Sequence, residues 1–417
     1  VSTGSAAAAA PKPDGRAAAP AMIAVALSAA FMVGGYEFAR TAAASIFIET
    51  YGSARMPWAM TAVPFLMAAL IYLYARLLSA AGPLKSVLVS LAATAAFFTA
   101  AYFSLSAGAA KTTAAFLYVF TEVYVVILVE QYWSFINSTL DVAKARLYNG
   151  PITGGGALGP LAADWLVKTR GAALGTEKLI LLSAAALVPA GLLIWAAYRL
   201  AGEPRPAPGE AGGKQGHLHL RLLRENKALL FLLGAIFLSQ VVATALNLKL
   251  YQLLEATVSG KDARSVYLGG FWMYVNGGVA LLQFVLTPAL LRFLPFAAVM
   301  LLIPALHLAN SAFLLATPTL FVSAFALGVF KSMDYSLFRA AKELIYIPLS
   351  WDARYRAKQV VDSFTYRFSK GATALSLSAW QSIAQTAPPY AAIAACAAGA
   401  WLALSVPLAR AAGKTND

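Results

Sequence analysis

Between Lys331 and Lys370 the sequence KSMDYSLFRAAKELIYIPLSWDARYRAKQVVDSFTYRFSK packs charge into a region otherwise apolar enough to cross a membrane. On a helix turning about 100° per residue, Lys331, Asp334, Tyr335, Phe338, Arg339, Lys342 and Tyr346 share an arc of about 140°. Pro348 ends that helix, and Trp351 to Lys358 form a short basic connection. The next helix carries Asp362, Ser363, Tyr366 and Lys370 in one stripe, with Arg367 beside it. Even the mildest scale sets a Lys, Arg or Asp at the middle of a membrane helix at about 2.5 to 3.5 kcal/mol. Such side chains must face a wet cavity or one another.

Other apolar segments carry the same kind of signal. Glu37 and Arg40 stand three apart in the first, where they can pair on one face. In the fourth, Tyr118, Glu122, Glu130, Trp133 and Asn137 fall within an arc of about 120°, so that face should line a cavity. Asn247, Lys249, Tyr251 and Gln252 interrupt the seventh; Trp272, Tyr274, Asn276 and Gln283 interrupt the eighth more gently. Within the apolar segments the bases are Arg40, Lys249, Lys331, Arg339, Lys342, Arg367 and Lys370, and the acids are Glu37, Glu122, Glu130, Asp334, Glu343 and Asp362.

A cavity walled by bases from both halves of the chain suits an anionic solute, phosphorylated or carboxylated. Arg40, Lys331, Arg339, Lys342, Arg367 and Lys370 are the expected anion contacts, with Asn247 and Lys249 beside them. Glu122 is expected to pair with one of these bases when the site is empty, and Tyr118, Trp133 and Tyr335 to stack on any planar ring. Glu37, Glu130, Asp334, Glu343 and Asp362 are candidates for coupling or gating. Exchange of two anions needs no proton carrier; symport with a proton needs a titrating carboxylate, for which Glu122, Glu130 and Asp334 qualify. The plainer alternative is that these charges form permanent bridges between helices.

The composition sets the class. With 60% hydrophobic residues, 12% charged residues and a mean hydropathy of +0.68, there is too little polar surface for a soluble domain. The formal charge of +14 is concentrated in loops flanking apolar segments, as topology signals are, which argues against nucleic acid as a partner. Cys396 is the single cysteine, so there is no internal disulfide, and its Ala-rich surroundings suit packing. His217 and His219 lie in a polar loop and His307 stands alone, which leaves no metal-ligand constellation. Without a GxSxG elbow, a Walker loop or a GxGxxG fingerprint, neither an enzyme nor a cofactor is expected.

The elements that must position these groups follow from hydropathy. Residues 1–19 read as a disordered tail, 20–200 as a six-helix bundle, 201–226 as a linker rich in Pro, Gly and charge, 227–411 as a second six-helix bundle, and 412–417 as a tail. The run NGPITGGGALGP from Asn149 to Pro160 reads as a surface for close helix packing. Counting about eighteen Lys and Arg on the side of the termini and linker against about seven on the other puts both termini in the cytoplasm. AKARLYNGPITGGGALG from Ala143 is echoed by AKQVVDSFTYRFSKGATA from Ala357, which pairs spans four and five with ten and eleven. The expected fold is all-α and polytopic: twelve transmembrane helices in two six-helix bundles, major facilitator-like, with the solute site between halves.

Tyr335-Ser336-Leu337-Phe338, Lys342-Glu343 and Tyr346-Ile347-Pro348-Leu349 resemble the YSLF…KE…YIPL signature of the ATP/ADP translocases, the nucleotide transporters of plastids and obligate intracellular bacteria. Tyr355-Arg356-Ala357-Lys358, Val361-Asp362 and Tyr366-Arg367 are similar to the YKAK…ID…YR pattern of that family's free-living bacterial branch. Glu122, Trp133, Asn137 and the Ala143-Lys144 loop keep its spacing around the fourth span. The resemblance implies a facilitator fold in a bacterial inner membrane and exchange of anionic nucleotides by alternating access. Departures lie at Arg40-Thr41-Ala42-Ala43-Ala44, where the family's Lys is absent, and at Phe338-Arg339-Ala340, where Phe-Asp-Pro is replaced; a seventh-span carboxylate position holds Asn247. The partners expected are a small anionic solute and the lipid bilayer, with the chain a monomer. Two other readings stay open: a proton-coupled carrier of another anionic or zwitterionic metabolite, and a non-transporting membrane scaffold or regulatory protein.

Overall fold

The computed structural model describes residues 15–139, 142–202, 226–346 and 365–413. The described residues form helices joined by short turns, without a strand. The N-terminal half comprises α1 (Gly15–Tyr51), α2 (Met56–Ser106), α3 (Ala110–Thr139), α4 (Val142–Leu174) and α5 (Thr176–Ala201). The C-terminal half comprises α6 (Lys227–Thr257), α7 (Lys261–Leu281), α8 (Thr287–Phe293), α9 (Phe296–Ala316), α10 (Leu320–Met333), α11 (Arg339–Tyr346), α12 (Thr365–Ala384) and α13 (Tyr390–Gly413). Among the described residues, nine helices are long and apolar enough to cross a membrane.

Local chemistry sets the boundaries. Asn226 Oδ1 accepts from the backbone N–H groups of Ala228 and Leu229 at 3.0 and 3.3 Å and starts α6; Thr319 Oγ1 accepts from Val322 N at 3.2 Å and starts α10. Within α2, Gly82 takes φ 78° and ψ 171°, which breaks the helix into two segments that meet at Pro83. Helix α1 begins at Gly15, inside the stretch that composition assigns to a tail, because its alanines favour helix once nucleated. π-helical turns join α7 to α8 over Leu282–Leu286 and α10 to α11 over Asp334–Phe338.

Each half buries its own core. In the N-terminal half, Leu117, Tyr124, Leu128, Phe135, Val167 and Ile180 belong to one apolar cluster, as α1 packs on α3, α4 and α5. The C-terminal cluster gathers around α6, which packs on α10, α12 and α13, and takes in His307, stacked on Trp401. Across the halves, α4 packs on α7 and α2 on α12. Outward faces carry Phe65, Phe116, Trp165, Phe321 and Ile383, exposed as suits a hydrocarbon solvent. Cys396 is exposed on α13, so the packing role expected of it is not what the fold gives it.

Within the small-residue run of α4, Gly159 packs closely on α1. A Cβ at Gly159 would sit 1.8 Å from the carbonyl oxygen of Ala30, so only glycine lets α4 reach the backbone of α1. On the seam between halves, a Cβ at Gly371 would meet Pro64 at 2.5 Å and one at Gly269 would meet Val167 at 2.6 Å.

Candidate functional site

The groups from the two halves meet around Glu122, on α3. Its carboxylate pairs with Lys370 of α12, and Lys331 of α10 and Arg40 of α1 lie within electrostatic range of it. One end of this ion pair belongs to each half, and both side chains are about three-quarters buried, at 20% and 26% exposure. Two turns along α3, Glu130 lies within electrostatic range of Arg367, one turn before Lys370 on α12.

Tyrosines ring this centre. Tyr36, Tyr118, Tyr251 and Tyr366 all lie within range of Glu122. Tyr118 is buried, its ring 4.9 Å from that of Phe47 and its hydroxyl without a partner, a donor left over in a polar setting. Tyr335 is exposed, with Lys331 Nζ 5.3 Å from its ring centroid.

A second polar group sits where α1, α4 and α7 meet. Arg40 pairs with Glu37 one turn away, its Cζ lies 3.4 Å over the Trp272 ring and 5.2 Å from that of Tyr36, and its Nε has no partner. Asp164, fully buried on α4, lies within range of Arg40 and accepts through Oδ2 from Asn276 Nδ2 at 2.8 Å, across the halves.

Asp334 is surrounded by Lys331, Lys342 and Arg339 of its own segment. The π-helical turn here adds a residue to the helical repeat, so the single arc expected from Lys331 to Tyr346 is not kept. Phe338 turns into the core against Trp401, with ring centroids 5.0 Å apart, while Arg339 and Glu343 are exposed. Lys342 is half-buried, its Nζ 5.5 Å from the Phe338 ring centroid.

Not every expected site residue joins this centre. Lys249 donates to Gln252 at 2.9 Å on its own helix, on the far side of α6 from Asn247, which faces Tyr251. Trp133 packs edge-on against Tyr132 in the N-terminal core. Asp362 lies outside the described residues, as do Pro348 and the basic connection from Trp351 to Lys358. The N-terminal half brings Arg40 as its base to the centre, so the wall of bases is supplied mainly by α10 to α12 rather than equally by both halves.

One end of the interface is fastened by polar contacts between halves. Glu49 accepts from Arg264 Nη1 at 2.8 Å, and Arg264 Nε also donates to the Val258 carbonyl at 2.9 Å. Glu177 pairs with Lys261, and Asp262 Oδ1 accepts from the backbone and hydroxyl of Thr176 at 2.8 and 2.6 Å. Glu255 accepts from Ser53 N at 2.7 Å and from its hydroxyl; Gly52, at φ 80°, turns the chain where a Cβ would come within 3.1 Å of that carboxylate. Phe47, Ile48, Met56 and Met60 of the N-terminal half join the C-terminal core at this same end. These residues sit at helix ends, where charges are ordinary, so nothing in the sequence marks them. Asp164 and Tyr36 do carry a signal, a lone carboxylate and a lone phenol in apolar runs, of the kind that marks Glu122.

Residues 284–410 match the family model described as TLC ATP/ADP transporter. The signature from Tyr335 to Arg367 lies inside that match; Glu122, Trp133 and the Ala143-Lys144 loop lie outside it. No curated protein matches the chain by sequence. Solved structures of similar fold include a point mutant of the nucleoside transporter NupG, at 13% identity and TM-score 0.61 over 95% of this chain and 100% of that one. An auto-inhibited POT family peptide transporter aligns at 12% identity and TM-score 0.64, covering 94% of this chain and 96% of its own. A D-xylose-proton symporter aligns at 11% identity and TM-score 0.61, covering 92% and 96%. The chain thus has a major facilitator-like transporter fold, and over residues 284–410 it is similar to the TLC ATP/ADP transporters.

Proposed function

We propose that the chain is a secondary transporter that carries an anionic solute across a bacterial inner membrane by alternating access, with nucleotide exchange as the leading form. The observation that carries this reading is the ion pair between Glu122 and Lys370, made across the halves with Lys331 and Arg40 in range. A phosphate or carboxylate entering between the halves takes the place of Glu122 as the partner of Lys370, Lys331 and Arg40, so binding the solute and parting this contact become one event. Tyr36, Tyr335 and Tyr366 offer faces on which a base or sugar ring can stack, whereas Tyr118, expected to do so, is buried against Phe47. Arg367, within range of Glu130, and Lys342 beside Asp334 extend the basic wall away from the centre.

In this reading the chain crosses the membrane twelve times, counting α2 as two crossings about Gly82, α7 with α8 as one and α10 with α11 as one. Both termini and the linker of residues 201–226 face the cytoplasm. The end fastened by Glu49–Arg264 and Glu177–Lys261 is then the outer one, and the state is closed to the outside.

The test is a thermal-shift screen of purified protein against nucleotides, sugar phosphates and carboxylates, followed by uptake into proteoliposomes with and without internal counter-solute. A ligand that raises the melting temperature in wild type but not in Lys370→Ala supports the reading. A full set of anions without effect on stability or uptake, with cellular function intact in Lys370→Ala, would favour the scaffold instead.

A further inference from the structure

Asp164 is the buried carboxylate that the anion site does not use. It lies on α4 at the seam with α7, fully buried, ten residues before the end of a 33-residue helix. Its two oxygens differ: Oδ2 accepts from Asn276 of the opposite half at 2.8 Å, whereas Oδ1 is buried without a hydrogen-bond partner. Such orphan oxygens are rare in folded proteins, because each forfeits a hydrogen bond that water would supply.

The groups that face Asp164 can be named element by element. From α1 comes Arg40, already paired with Glu37 and lying over Trp272. From α7 comes Asn276, and one turn further along α4 itself stands Lys168, whose Nζ donates to the Tyr274 hydroxyl at 3.0 Å. Helix α5, which also packs on α4, keeps Glu177, Lys178 and Arg199 at its two ends. One cation, shared with another carboxylate, and one amide that belongs to the moving partner are what Asp164 has to answer its charge.

We propose that Asp164 is a proton-binding site that couples transport to the proton gradient, holding a proton on Oδ1 while the α4–α7 seam is closed and exchanging it with water when the seam opens. When the halves part at this seam, Asn276 leaves with α7, Oδ2 loses its donor, and water reaches both oxygens. The proton is taken from water on one side and released to water on the other; no further reactant is required. This rests on the carrier reading above, with proton symport in place of exchange as its coupling, but on a different residue, and Glu122 keeps its role as counter-ion to the anion site.

The proton site can be tested without a known solute. Wild-type protein in lipid nanodiscs is stepped between alkaline and acidic buffer while infrared difference spectra are recorded in the carbonyl-stretch region of protonated carboxyls. A band that is present in wild type and in Glu122→Gln but absent in Asp164→Asn is expected; Asp164→Asn retains a carbonyl oxygen for Asn276, so the seam contact survives. A band unchanged in Asp164→Asn, or none in wild type, overturns the proposal. In a second arm, wild-type proteoliposomes are given labelled ADP, with and without an imposed pH gradient. Uptake driven by the gradient in wild type and insensitive to it in Asp164→Asn is expected. Uptake by wild type that ignores the gradient overturns the coupling. If labelled ADP does not move in wild type, that counts against nucleotide carriage, while the infrared result still decides Asp164.

Discussion

Where the two halves face each other near the middle of the molecule, they bring opposite charge. Helices α1, α3 and α4 supply Glu37, Glu122, Glu130 and Asp164 with Arg40 and Lys168 among them; the segment from α10 to α12 supplies Lys331, Lys342, Arg367 and Lys370 with Asp334 among them. Attraction between an acidic wall and a basic one draws the empty halves together. On the proposed reading, an anion arriving there would compete with carboxylates of one half for the bases of the other, which would couple its binding energy to how the halves sit. Two basic walls would instead repel when empty and need the anion as glue. The asymmetry favours a carrier whose empty form closes by itself.

The largest effect is expected from reversing one wall. Lys370→Glu sets two carboxylates face to face and should abolish the nucleotide-induced thermal shift as well as lower the melting temperature. Adding Glu122→Lys restores an opposite-charge pair with the walls exchanged; stability should return while nucleotide binding does not. Recovery of both would mean that only the pairing matters and that the sidedness of the charge is incidental.

A smaller loss follows from removing a single base. Lys331→Ala should weaken nucleotide binding by about 10- to 100-fold, the usual range for a charged hydrogen bond. Titration calorimetry reads this directly, and an unchanged affinity would take Lys331 out of the site. At the fastened end, the double variant Lys261→Ala/Arg264→Ala should shift the population toward opening by about two- to thirtyfold, because partly exposed ion pairs contribute only about 0.2 to 1 kcal/mol each. Distances between spin labels at Thr50 and Thr257 would report it. Least affected should be Lys249→Ala, whose ammonium serves Gln252; its affinity should stay within about twofold of wild type.

Much of this was legible from residue types. A charge in an apolar helix is expensive enough to need a partner, and Glu37–Arg40, three residues apart, found the one that spacing offered. Helix positions also followed hydropathy, and the stretch from Tyr335 to Arg367 falls inside the family match. The face of a helix was legible only where the helix is regular: the π-helical turn at Asp334–Phe338 sends Phe338 inward and Arg339 outward, against the arc that a uniform repeat predicts. Which carboxylate would meet which base was not legible, because Glu122 and Lys370 are 248 residues apart and their meeting depends on how two bundles dock. The same holds for Asp164 and Asn276, and for every contact at the fastened end.

The glycine contact between α4 and α1 bears on how these charges can move. With Gly159 seated on the backbone of Ala30, the two helices touch without an intervening side chain. On the proposed alternating-access reading, Arg40 and Asp164, one on each, would travel as a single piece, with the spacing between guanidinium and carboxyl kept from one state to the next. What would vary over such a cycle is the company kept by that dipole: indole and amide from α7 in one pose, solvent in the other.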